Sequence, residues 1–221
     1  ISDINIRSFA YDKLQMQSNI QLHIDIEAQN DIDTAIATTN ESIIEIGDMK
    51  FLLTGALSYK DTLSVDCSVS GKDIKLSETL SLFTNEGKEI FKGYKADGLL
   101  AFSMTAKGEL TKDKMPQITA NYNLENASLN YKKKKINITN INSKGSYTNG
   151  EKRNSTTSVL RMDSFSAKFN NNYIKGQFQL ADFNRLCVDA TLQAQAELGE
   201  IKTLLAQDSL EVLSGKAFVD L

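Results

Sequence analysis

The stretch Asn19-Ile20-Gln21-Leu22-His23-Ile24-Asp25-Ile26-Glu27-Ala28 alternates strictly between apolar and polar residues. A period of two places every apolar side chain on one face of an extended strand, so this stretch reads as a half-buried β-strand. The same alternation recurs at Leu63, Val65, Cys67 and Val69, at Leu100, Phe102, Met104 and Ala106, and at Ile118, Ala120, Tyr122 and Leu124. It returns at Ile174, Gly176, Phe178 and Leu180 and at Leu186, Val188, Ala190 and Leu192. Shorter segments at Phe51–Tyr59, Ile136–Ile141, Lys144–Tyr147, Thr157–Met162 and Phe165–Phe169 also read as strands. They are joined by turn-forming clusters such as Thr148-Asn149-Gly150 and Asn170-Asn171-Asn172, whose residues tolerate the positive φ of tight turns. With one proline in 221 residues, little interrupts a hydrogen-bond ladder. The expected fold is mainly β: a long, curved antiparallel sheet, not an alternating βαβ chain.

Two segments depart from period two. Leu76, Leu80, Phe83, Ile90, Phe91 and Tyr94 are spaced by threes and fours and predict short helical insertions over 76–94, divided near Gly87. Leu198, Ile201, Leu204 and Leu205 predict a second helix over 198–205. Both follow a strand and precede a Gly-led strand, which gives a weak internal repeat of 62–104 and 185–221, about 120 residues apart. An array of such units shares one apolar surface. The whole span 1–221 is therefore expected to be a single segment. It begins at Ile1 and ends inside an alternating run, which suggests a piece excised from a longer protein.

Composition removes several functions. The net charge is −3, so the basic footprint of a nucleic-acid binder is absent. Two cysteines and one histidine cannot form the usual four-ligand zinc site. Neither a phosphate loop nor a calcium loop occurs, and no metal, cofactor or catalytic residue is expected. His23 falls on the polar side of its strand with no nucleophile at strand spacing, so the chain is not expected to be an enzyme. Cys67 falls on an apolar side and Cys187 on the opposite side of its own strand. They read as two thiols, with a disulfide an open alternative in an oxidising compartment. Lys132–Lys135 read as a solvated hairpin tip or as a contact for anionic headgroups. A glycan-binding sandwich is disfavoured, because the chain has no tryptophan with which to stack a sugar.

The order of Gly55-Ala56-Leu57-Ser58-Tyr59, Leu63–Asp66, Ser77–Phe83, Tyr94–Leu100, Pro116–Ala120, Leu124–Leu129, Gly145–Gly150 and Ile174–Phe178 resembles the AsmA-like family of bacterial envelope proteins. These are related to TamB-type, bridge-like β-groove lipid transporters. The resemblance covers roughly 20–221 and rests on strand and turn patterns. It implies a half-open groove or taco-shaped sheet with an apolar lining. It also implies residence in the periplasm, an inner-membrane anchor outside this chain, and a part in phospholipid transport and outer-membrane assembly.

The expected partner is a phospholipid or other acyl lipid. The expected lipid-binding strip is Leu100, Phe102, Met104, Ile118, Tyr122, Leu124, Phe178 and Leu180. The alternative is a non-catalytic β-rich structural or interaction module with a closed core.

Overall fold

The computed structural model describes residues 2–6, 9–11, 14–16, 20–31, 34–81, 93–131, 136–170, 172–197 and 216–220. The first strands are β1 (Ser2–Ile6), β2 (Phe9–Tyr11), β3 (Leu14–Met16), β4 (Ile20–Ile24) and β5 (Glu27–Asp31). The long ones follow: β6 (Thr34–Ile46), β7 (Met49–Tyr59), β8 (Leu63–Lys75), β9 (Tyr94–Leu110), β10 (Gln117–Tyr131), β11 (Ile136–Thr148), β12 (Val159–Phe169), β13 (Asn172–Ala181) and β14 (Cys187–Glu197), with β15 (Lys216–Asp220) last. Between β8 and β9 lies α1 (Leu76–Ser81).

Thirteen strands form one antiparallel sheet in the order β1-β4-β6-β7-β8-β9-β10-β11-β12-β13-β14-β15, with β5 also paired to β6. From β6 onward each strand pairs with the next in sequence, so the sheet is a meander. Its two ends do not join, and the sheet is open and unclosed. β2 and β3 form a separate hairpin.

Register keeps the alternation in phase across strands. Phe102 faces Tyr122 and Gly71, Met104 faces Ala120 and Val69, while Ser103 faces Asn121 and Ser70. One face is consequently apolar and the other polar, which is how an antiparallel sheet with one solvated side is patterned.

The phase slips at bulges. Register shifts fall between Thr39 and Ser42, Gly71 and Ile74, Glu125 and Ser128, Thr139 and Asn142, and Met162 and Phe165. Asp73, Asn126 and Asn140 sit at three of them with φ of 55°, 48° and 50°, a left-handed conformation their short polar side chains tolerate. Each bulge adds an unpaired residue and bends its strand.

The bulges correct several expected strand limits. The segments at 136–141 and 144–147 are one strand, β11, while the segment expected over 157–162 starts only at Val159 and merges with that over 165–169 into β12. An extra residue reverses the alternation, and in sequence that resembles a strand end. Conversely, Asn19–Ala28 is not one strand. It breaks at Asp25 and Ile26 into β4 and β5, opposite the β6 bulge. There the buried Ser42 hydroxyl accepts from the Asp25 N–H at 3.0 Å and lies 2.6 Å from the Thr39 hydroxyl.

α1 occupies the start of the insertion expected over 76–94, and Tyr94 already begins β9. Residues 82–92, including Phe83 and Phe91, lie outside the described residues, as do the helix expected over 198–205 and Lys132–Lys135. α1 packs on β8 and β9, and its Thr79 hydroxyl donates to Met49 Sδ at 3.8 Å. Beneath this end Met49, Phe51 and Ile74 are buried, with Ile44, Ile46, Val69, Leu100 and Phe102 packed around them. This is a local core at one end of the sheet. The chain exposes 15281 Å², against the ~10,000 Å² expected of a compact monomer of this mass. An open, unclosed single layer contributes to this large surface.

Candidate apolar binding face

The apolar face is built from rows that run across the strands. One row is Leu53, Val69, Met104, Ala120, Tyr147, Leu160, Leu180 and Val188, each registered with the next from β7 to β14. The adjacent row is Gly71, Phe102, Tyr122, Gly145, Met162, Phe178 and Ala190. A third is Ile74, Leu100, Leu124, Ser143, Phe165, Gly176 and Leu192. At ~4.8 Å per strand, a row crossing eight strands extends over ~34 Å.

All of the residues expected to line a lipid strip share this face. Leu100, Phe102 and Met104 come from β9, Ile118, Tyr122 and Leu124 from β10, and Phe178 and Leu180 from β13. Ile118 is registered with Ala106, and the others lie in the rows above. β13 is separated from β10 by β11 and β12, which the expected strip left out. Tyr147, Leu160, Met162 and Phe165 therefore complete the surface. They escaped notice because the bulges in β11 and β12 cut the alternation into pieces too short to assign a face.

The aromatic members lie over glycines. A Cβ on Gly71 would stand 2.9 Å from a Phe51 ring carbon and 3.2 Å from one of Phe102. The Phe51 and Phe102 rings are 5.4 Å apart between centroids. Tyr122 covers Gly145 in the same way, and its hydroxyl lies 3.0 Å from that of Ser143. The face remains open to solvent: Met104 is 39% exposed, Leu57 42% and Val188 63%.

The opposite face is hydrophilic. Ser70, Ser103, Asn121, Ser146, Arg161, Gln179 and Asp189 form one of its rows. Arg161 Nε donates to Gln179 Oε1 at 2.7 Å, and Lys107 pairs with Asp66 at 2.7 Å. His23 is on this face 3.7 Å from Glu45, which also pairs with Lys50 at 2.7 Å. The Lys50 hydrogen bond holds the Glu45 carboxyl below the usual carboxylate range, against a weaker opposing effect of desolvation. Some apolar side chains are also exposed here, the registered pair Ile43 and Leu52 and the single Leu99 among them.

The two thiols are both free. Cys67 is registered with Ala106 on the apolar face, whereas Cys187 is registered with Ala181 on the polar one. Among the described residues no cluster of His, Cys, Asp and Glu could hold a metal ion, and no helix is long and apolar enough to cross a membrane.

The loop over residues 149–158 closes one end of the apolar face. Asn149 is buried; its Oδ1 accepts from the Ile118 N–H and its Nδ2 donates to the Pro116 carbonyl, both at 2.9 Å. The β13–β14 turn packs beside this loop, with the Phe183 N–H donating to the Ser155 carbonyl at 2.8 Å. Searches of family models, curated proteins and solved structures find no match to the chain.

Proposed function

We propose that this protein is a non-catalytic β-sheet module that binds or guides acyl chains along its apolar face. The observation that supports the reading best is the set of registered apolar rows on an open sheet, with a polar face behind them. Contiguous apolar surface of this extent is uncommon on soluble monomers and marks an interaction site. Each methylene removed from water contributes ~0.8 kcal/mol, so ten methylenes offset much of the entropic cost of association without polar recognition.

In this reading the partner is a phospholipid or a related acyl lipid. The setting is the bacterial periplasm, with an inner-membrane anchor outside the 221 residues and a role in lipid homeostasis or outer-membrane assembly, as the resemblance to AsmA-like proteins implies. The purified chain would be incubated with vesicles of phosphatidylethanolamine and phosphatidylglycerol, re-isolated, extracted and examined by mass spectrometry. A photo-crosslinking residue at position 102 or 122 should form phospholipid adducts. Absence of both co-purified lipid and adducts would favour the β-rich interaction module instead.

A further inference from the structure

We propose that the apolar face takes an acyl chain whose anionic end group is held by the guanidinium of Arg153. The proposal rests on the acyl-chain reading above and specifies which end of the face receives the head.

Arg153 lies in the loop that closes the face, far in sequence from the strand it touches. A Cβ on Gly108 would stand 2.9 Å from Arg153 Nη1, so the guanidinium rests on Gly108. Gly108 is registered with Val65 and continues the β9 file of Phe102, Met104 and Ala106. A positive charge therefore sits at the end of a hydrocarbon track. From Gly108 back to Leu100 that track runs ~26 Å at ~3.3 Å per residue, enough for a long acyl chain.

The loop presents this charge in a fixed place. The Arg153 N–H donates to the Gly150 carbonyl at 3.1 Å and the residue has a φ of 57°. The Thr157 hydroxyl donates to the Asn149 carbonyl, and the Ser158 hydroxyl to the Asn154 carbonyl, both at 2.9 Å. Among the described residues the guanidinium has no hydrogen-bond or ion-pair partner. The acid next to Gly108, Glu109, is hydrogen-bonded by Lys114 at 2.6 Å and feels the Arg153 charge only through space, which together hold its carboxyl below the usual value. Arg153 is half-buried as a residue, and a guanidinium with its donors unused, on a preorganised loop, suits a carboxylate or phosphate that accepts two parallel hydrogen bonds. A fatty carboxylate and a phospholipid phosphate share that chemistry.

The test is displacement of the neutral dye N-phenyl-1-naphthylamine from the full chain by oleate, oleyl alcohol or lysophosphatidylglycerol. Oleate should compete about tenfold better than oleyl alcohol, and 0.5 M salt should erode that preference. Arg153→Gln should remove the preference while leaving oleyl alcohol unchanged, and Arg153→Lys should keep part of it. An Arg153-dependent advantage for lysophosphatidylglycerol identifies phosphate as the head, and an advantage confined to oleate identifies a free carboxylate. Equal competition by oleate, lysophosphatidylglycerol and oleyl alcohol in the unmodified chain, or a preference that survives Arg153→Gln, overturns the head-group site and leaves acyl binding standing. Failure of all three to displace the dye overturns both.

Discussion

Tyr122 and Gly145 face each other in register across β10 and β11, and a Tyr122 ring carbon lies 2.8 Å from where a Cβ on Gly145 would stand. The same Cβ would collide with the Arg161 carbonyl of β12. The glycine is thus the space into which an aromatic of the apolar face folds. Gly145→Val should lower stability by about 1–3 kcal/mol through overpacking, whereas Tyr122→Phe, which removes only the hydroxyl contact with Ser143, should cost about 1 kcal/mol. Urea unfolding of the two variants checks the order.

Face decides the effect of a charge. Phe102→Asp puts a carboxylate among Phe51, Gly71 and Tyr122 and should cost about 2–4 kcal/mol, together with lipid adducts from position 122. Thr105→Asp, three residues along on the solvated face, should change stability by about 0.5 kcal/mol or less and leave adducts intact. Equal loss of adducts in both variants would count against the apolar face as the binding surface.

Asn149 ties the closing loop to the start of β10 through two hydrogen bonds. Asn149→Ala leaves the Ile118 N–H and the Pro116 carbonyl without these partners, at a cost of about 2 kcal/mol. Amide hydrogen exchange at Ile118 should accelerate well before that of Tyr122 in mid-strand.

The Glu45–Lys50 pair sets a pH window. Glu45 has a lowered pKa in the folded chain, because Lys50 donates to its carboxylate. Its contribution is present above the ordinary carboxylate value and is lost as pH falls through the lowered folded one. Lys50 is raised by the same hydrogen bond, so its contribution is complete below the ordinary ammonium value and is lost as pH rises through the raised one. Glu45→Gln should flatten the acid limb of a urea-midpoint profile measured between pH 2 and 7, leaving the region near neutrality almost level.

Cys67 and Cys187 lie on opposite faces of the sheet. A mild oxidant should leave both thiols titratable in the monomer, and a maleimide should label the exposed Cys187 faster than the half-buried Cys67. A two-proton mass loss in the monomer would contradict this arrangement.

The sequence by itself determined the antiparallel β class, the separation of faces and the shared side of Phe102, Tyr122 and Phe178. Period two is a local property, and a meander passes it from strand to strand through short connections. Tertiary structure alone decided three other things. Bulges carry Asp73, Asn126 and Asn140 across a phase reversal, which in sequence mimics the end of a strand. The sheet stays open because its β1 and β15 edges do not meet, a sum of pairings that no single segment encodes. The placement of Arg153 on Gly108 joins residues of different strands and loops, and a contact across that separation exists only once the intervening strands have paired.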